Sequence, residues 1–566
     1  MLTLFRNPQS LNALPRKVYF VIIFFLAVQA FQALRQPDLG SAFLGEYGQS
    51  ESFLVQAGFI IFFLASFAFL DANSSFPKLR KILTIAVYVL FFFGIYQYYF
   101  KDPFTEKIIT RISSLMGDPN SLGFFLLLAL PLVLDEYLMA GTWSYVALGG
   151  FLVGVITLFL TYSRASWLAF LVSCFLIILT WIRQKPKKIL IFALTIILAL
   201  FLGQILTKLQ PYSHTDYNLP ARLNSVAQGN DSGRGLLWST AWQSFQTKPF
   251  LGRGLGSFQD AFHLFQSKEA VNHWGLQRDL RQVHNEFFHY LATQGLLGLG
   301  AYLALILTIL ITAKPWRSHH ANQNTKTLLS GTIISYLIAM QFAYPLLHYS
   351  FLFWIYLGLL LRLELPSEPK AYTSLNPITI PQKVLAALSL IIACLISTQI
   401  ITADYFFRRA SILSEQKHYY AAAVKYHLTT QLAPWNYHYH YWYGLTLIRC
   451  GRTQKNTEPQ KSAQYFEKAK HVFLNLKKTN PNRYQIPFML GKIAENQKEF
   501  ANATQYYRQT LALFPNNYQI YFYLTRVEAM QDHWQAARTA FLQGMKLNPD
   551  YMKKMAKNAR LDWRLL

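Results

Sequence analysis

Charged residues are scarce in this chain of 566, at 14% against the roughly 25% of a soluble domain. Acids are the scarcer sign, with 27 Asp and Glu against 53 Lys and Arg and a net charge of +26. Cysteine is nearly missing, at three residues, which excludes a disulfide scaffold. No His or Cys cluster has the spacing of a zinc site, so no metal is expected. His438 and His440 read as packing or surface residues. No phosphate-cradling loop follows a strand; Gly252, Gly254 and Gly256 read as a turn. Apolar residues, in contrast, make up 53% of the chain and aromatics 16%. That is enough apolar surface to exclude disorder for most of it. An integral membrane protein with one soluble part is left.

Eleven apolar runs occur before residue 403, at about 18–34, 52–70, 82–100, 121–139, 145–162, 165–182, 188–206, 288–313, 327–345, 347–363 and 383–403. Most reach the roughly 20 residues that a helix needs to cross a bilayer. The first follows Arg16 and Lys17 but has no clear cleavage site before Arg35, so it reads as an uncleaved helix. The fold class expected is all-α: a polytopic helix bundle of about 11–12 spans, with a soluble helical part from 404 to 566.

Lys and Arg in short loops set the orientation. With the N-terminus inside, the inner segments hold Arg6, Arg16, Lys17, Lys78, Arg80, Lys81, Arg183, Lys185, Lys187, Lys188, Lys314, Arg317, Lys326, Arg362, Lys370 and Lys383. The short outer loops hold only Arg35, Lys101, Lys107, Arg111 and Arg164. This bias places the loop at about 207–287 outside, together with residues 404–566.

The C-terminal part repeats itself. Pro481, Pro515 and Pro549 are spaced by 34, and Pro434 precedes them by 47, which is 34 plus an insertion within Gly451–Ala463. An alanine stands twelve residues before each proline (Ala422, Ala469, Ala503, Ala537), and an aromatic eight before (Tyr426, Phe473, Tyr507, Phe541). Gly444 and Gly491 fill a small position in two of the repeats. A 34-residue period is the signature of tetratricopeptide repeats, helix pairs that stack into a solenoid. The part from 404 on holds 24 Lys and Arg against 10 Asp and Glu. Such a surface suits an anionic lipid, a lipopolysaccharide or an acidic partner; a plain solvated surface is the alternative. Nucleic acid is not expected.

The chemistry-bearing residues sit at the outer edge of the bundle. His284, Phe288, Leu291 and Gly295 have the spacing of one helix face at the mouth of the eighth span. A histidine there can accept a proton near neutral pH. Arg164 lies between two spans and Arg234 in the large loop. An arginine at membrane depth is costly and marks a functional site by default, and its planar donor fork suits phosphate oxygens. Two arginines and a histidine suit a lipid diphosphate substrate, with the histidine taking a proton from an acceptor hydroxyl. A snorkelling or interfacial role with no ligand is the alternative for each.

Three segments carry a resemblance. The run from Gly233-Arg234 through Trp238, Ala241 and Pro249–Phe258, then Val283-His284-Asn285 and Gln294–Gly298, resembles the O-antigen ligase family. Ser163–Trp167 resembles that family's other arginine motif, and Asp118-Pro119-Asn120 a weaker feature of it. The family includes lipopolysaccharide O-antigen ligases, bacterial protein O-oligosaccharyltransferases and, more distantly, O-antigen polymerases. The resemblance implies a polytopic glycosyltransferase of the C type in the bacterial cytoplasmic membrane. It implies glycan transfer from undecaprenyl diphosphate to an acceptor, lipid A core or a protein hydroxyl, on the periplasmic face without a cofactor. It gives His284 the catalytic role and Arg164 and Arg234 the diphosphate, with Arg253 and Arg281 as further candidates. His289 reads as a packing residue. The repeats depart from the simplest family layout and favour a protein acceptor or a protein partner. A polymerase using the same donor, and a non-catalytic scaffold working through its repeats, remain open. The expected domains are 1–403 and 404–566.

Overall fold

A computed structural model describes residues 13–45, 51–70, 75–100, 102–103, 109–139, 141–181, 185–209, 233–314, 323–364 and 380–559. Arg6, Lys101, Lys107, Arg183, Arg317, Lys370 and residues 210–232 of the large loop lie outside the described residues. Among the described residues the chain is helical and has no strand.

Each of the eleven apolar runs carries a helix. In chain order these are α1 (Arg16–Leu34), α3 (Phe53–Phe69), α4 (Ser75–Tyr99), α5 (Pro119–Leu138), α6 (Ser144–Leu160), α7 (Arg164–Trp181), α8 (Pro186–Lys208), α12 (Glu286–Ala313), α13 (Gln323–Ala339), α14 (Leu347–Arg362) and α15 (Ile380–Glu415). A short α2 (Leu39–Leu44) follows α1, and the large loop contributes α9 (Arg234–Thr247), α10 (Phe258–Phe265) and α11 (Lys268–Trp274). The run expected to 345 ends as a helix at Ala339, and the one expected to stop at 403 continues to Glu415.

Among the described residues, five of these helices are long and apolar enough to cross a membrane, and α3, α6, α14 and Arg164–Leu179 of α7 are shorter apolar helices. Large apolar side chains point outward all round the bundle: Phe20, Phe92, Leu171 and Ile197 are each more than 60% exposed. Water would not tolerate such a belt, whereas lipid does. The protein is a multi-pass membrane protein.

At the centre stands α5, buried on every side from Ser121 to Leu138 and packed by α4, α6, α7, α13 and α14. Its two ends differ in chemistry. At its C-terminal end the Arg80 guanidinium sits 2.6 Å from Asp135 and 2.9 Å from Glu136. Lys185 and Lys188 donate to the carbonyls of Leu138 and Tyr137 at 2.6 and 2.7 Å, where the helix dipole is negative. At the other end Asp118 caps the helix by accepting from the Ser121 amide at 2.9 Å, and the candidate site begins there.

From α15 onward the helices form a stack, each packing on the next. They are α16 (Tyr419–Leu432), α17 (Tyr437–Gln454), α18 (Pro459–Thr479), α19 (Gln485–Asn496), α20 (Phe500–Leu513), α21 (Tyr518–Ala529) and α22 (Trp534–Leu547), closed by α23 (Pro549–Asn558). The recurring residues are those that make the contacts. Ala422, Ala469, Ala503 and Ala537 are fully buried, as are Phe473 and Tyr507. A Cβ added to Gly444 would come within 2.8 Å of the Phe473 ring, and one on Gly491 within 2.6 Å of Tyr507. The aromatic of one helix thus needs the glycine of the helix before it.

Candidate active site

Four helix starts converge on one cavity. Asp118 caps α5, Arg164 opens α7, Arg234 opens α9 behind Gly233, and Asn285 caps α12. Helix starts carry partial positive charge and suit anions. The cavity, of about 350 Å³, is lined by Arg111, Asp118, Asn120, Arg164, Arg234, Trp274, His284, Tyr344 and neighbouring residues that include Ser121 and Ser163. His284, Arg164 and Arg234, far apart in sequence, therefore face one space.

Local geometry explains each placement. Gly233 has φ +76, and a Cβ there would press within 2.8 Å of the His273 ring as well as on Trp274. Glycine is thus required twice over immediately before Arg234. Trp238 of α9 stacks on Phe288 of α12 at 6.0 Å, which fixes the two helices side by side. The Glu286 amide donates to the Met340 carbonyl at 2.9 Å, and the Asn285 amide group donates to the Gln341 carbonyl at 3.1 Å. These bonds explain why α13 stops at Ala339: the turn after it supplies acceptors to the start of α12.

His284 does not share a helix face with Gly295. It lies before the Asn285 cap, in a left-handed conformation with φ +55. The helix is also broken at Gly295, whose φ is +64 and ψ −163. The His284 ring stands edge-on to Tyr344 at 5.0 Å. Burial lowers its pKa to about 4, the Arg234 charge pushes the same way, and Asp118 opposes them. The imidazole is neutral at physiological pH and free to accept a proton.

Arg111 and Tyr344 are among the cavity residues not singled out from the sequence. Arg111 donates to the Thr161 carbonyl at 2.8 Å and to Asn120 Oδ1 at 3.0 Å, which brings a third guanidinium beside Asp118-Pro119-Asn120. Tyr344 comes from the turn between α13 and α14. A lone loop arginine and a tyrosine within an apolar run give no signal in sequence. Arg253 is not in the cavity. It donates to Ser244 at 3.2 Å and Thr247 at 2.9 Å and lies over the Phe265 ring. Arg281 also stands apart and acts electrostatically on Asp279. His289 is buried against Glu51 and the Phe258 ring.

The C-terminal stack is docked on the loop that ends at His284. His263 Nε2 lies 2.8 Å from Asp279, and Gln485 of the stack donates to the same carboxylate at 3.1 Å. The His263 ring packs on Tyr484 at 4.6 Å and Phe514 at 4.9 Å. Arg483, buried, sits 3.2 Å from Asp260 and also contacts Gln259. Burial works to raise the Asp279 carboxyl. The His263 hydrogen bond and the charges of His263, Arg483 and Arg281 outweigh it and hold the group below the usual range.

Residues 149–303 match the O-antigen ligase family. The matched stretch runs from within α6 into α12 and contains Arg164, Arg234 and His284. No curated protein matches the chain. The match supports membrane glycosyltransferase chemistry of the ligase or polymerase kind.

Proposed function

We propose that the protein transfers a glycan from undecaprenyl diphosphate to an acceptor hydroxyl, on lipid A core or a protein, at the periplasmic face of the bacterial cytoplasmic membrane. One observation carries this reading. Two arginines and a neutral histidine line a single cavity built from helix starts. The acceptor oxygen attacks the anomeric carbon and its proton passes to His284. The new glycosidic bond forms as the bond to the diphosphate oxygen breaks, and Arg164 and Arg234 stabilise the charge that gathers on the leaving group. Arg111 adds a third cation to the same wall. The basic cluster at the far end of α5 supports an inner side opposite the cavity.

The recurrence of buried alanine and aromatic positions supports a tetratricopeptide-type solenoid from about 404 on. Its contacts with the loop before His284 favour a protein acceptor, delivered to the cavity from the stack side. A polymerase would use the same donor and the same three residues. Reconstitution with a lipid-diphosphate glycan and three acceptors (lipid A core, a pilin-like protein and a second lipid-linked glycan) separates these readings by product mass. His284→Ala is expected to abolish transfer, and Arg164→Ala and Arg234→Ala to reduce it severely while leaving a measurable residue, all three inserting normally. Parental rates in all three would end the catalytic assignment.

A further inference from the structure

A second charged site lies on the stack, away from the edge that docks on the loop. The docked edge is made by Arg483 and Gln485 at the start of α19 and by Phe514 and Asn516 before α21. The far ends of the same helices, with the end of α17, form an open groove of about 420 Å³. Lys492 and Glu495 lie seven and ten residues beyond Gln485 on α19, so at 1.5 Å per residue the two edges are separated by roughly 10–15 Å.

The groove gathers Arg452, Lys455, Lys492 and Arg526, with Tyr523 and Met530 beside them. Its only acidic lining residue is Glu495, already engaged by Arg526 and by the Tyr507 hydroxyl at 2.8 Å. Among the described residues, Arg452, Lys455 and Lys492 form no ion pair. The Lys492 ammonium instead lies over the rings of Phe488 at 4.5 Å and Tyr523 at 4.8 Å, half-buried in the helix face. Burial, and then the Arg452 charge, lower its pKa to about 8. Like charges held together without an anion weaken the fold by repulsion. Sites that break a stability rule without local compensation are where function is expected.

We infer that this groove binds an acidic, extended segment of a partner protein, whose carboxylates meet Arg452, Lys455 and Lys492 and whose apolar side chains lie on Tyr523 and Met530. Charge complementarity selects the acidic partner. The exposed thioether of Met530, an adaptable apolar contact, selects a peptide over a purely polar glycan. The site is separate from the cavity around His284 and stands whether or not that cavity transfers glycans.

The test uses the full-length protein in nanodiscs and a fluorescein-labelled peptide of Glu, Leu and Ser, with its Gln counterpart and a uronate oligosaccharide of equal charge. The Glu peptide is expected to bind saturably and to weaken with salt. Arg452→Gln/Lys492→Gln should weaken it by about tenfold or more. Lys553→Gln/Lys557→Gln, with the same loss of charge on α23, should change it by less than about twofold. The α23 variant should unfold at the parental temperature and the groove variant at or above it, since it relieves the repulsion. Equal loss in the two variants, equal binding of the Gln peptide, or tighter binding of the uronate would each overturn the proposal.

Discussion

His263 Nε2 lies 2.8 Å from the Asp279 carboxylate, and Asp279 stands five residues before His284 in a segment without regular structure. The stack closes over this pair through Gln485, Tyr484 and Phe514. The segment carrying His284 is thus held at one end by the stack and at the other by the turn after α13.

Asp279→Asn should therefore act on catalysis without touching the cavity. The substitution keeps the shape and removes the charge that the histidine and two arginines face. Transfer is expected to fall by about five- to twentyfold in kcat, with KM for the lipid-linked donor within about twofold, because a misplaced base lowers the chemical step more than binding. Steady-state kinetics on the reconstituted protein decide it. An unchanged kcat would show that the brace does not reach His284. The pair also gives an acid sensitivity. The folded carboxyl lies below its ordinary value of about 3.9, so its contribution is complete above that pH and is lost as pH falls through the lowered value.

Arg483→Gln should loosen the docking as a whole. The guanidinium is buried between Asp260, Gln259 and the Tyr437 ring, and removing one partner of a largely buried pair costs about 3 kcal/mol. Hydrogen exchange should quicken in α10 and α11, which the stack covers, and stay slow in α5. Uniform protection across both regions would mean that the docking does not depend on Arg483.

The parts of the fold that repeat or run long were legible in sequence. An apolar run declares a helix by its length, and the 34-residue recurrence marked the buried alanines and aromatics before any contact was known. The three residues grouped for chemistry do line one cavity, because each stands at a helix start bounded by glycine, serine or asparagine. What sequence did not carry is contact between distant segments. Arg111 gains its place from the Thr161 carbonyl and Asn120, and Tyr344 from the turn after α13. His284 looked like part of a helix because apolar spacing continues through Gly295, and a positive φ leaves no trace in that spacing.

Gly295→Ala tests this break. A Cβ at Gly295 would meet the Phe250 carbonyl oxygen at 2.5 Å and the Gly252 amide at 2.6 Å. These are backbone atoms that cannot rotate away, and the residue's φ is +64. Straightening α12 instead would pull it off the 249–256 turn, whose Gly254 amide donates to the Thr293 carbonyl at 2.5 Å. The expected cost is about 2–4 kcal/mol, read as a lowered midpoint of thermal unfolding in detergent, with transfer reduced in the fraction that stays folded. A midpoint within about 1 °C of the parent would mean that the helix can run straight through this position.

The pH profile is the sharpest test of His284. A base must be neutral to accept a proton, and this imidazole is held neutral down to about pH 4 by burial and by Arg234. Transfer should therefore stay flat from pH 8 to below pH 6, where an ordinary histidine of pKa 6.5 would already be titrating. It should fall about tenfold per unit only near and below pH 4. Arg234→Gln removes the like charge, so the residual activity of that variant should lose its acid limb at a higher pH than the parent. Arg164→Gln supplies the comparison, since it removes an equal charge from the same cavity while the His284 shift is set by burial, Arg234 and Asp118. If the acid limb stands near pH 6.5 in the parent, or does not move in Arg234→Gln, the proton acceptor is some other group.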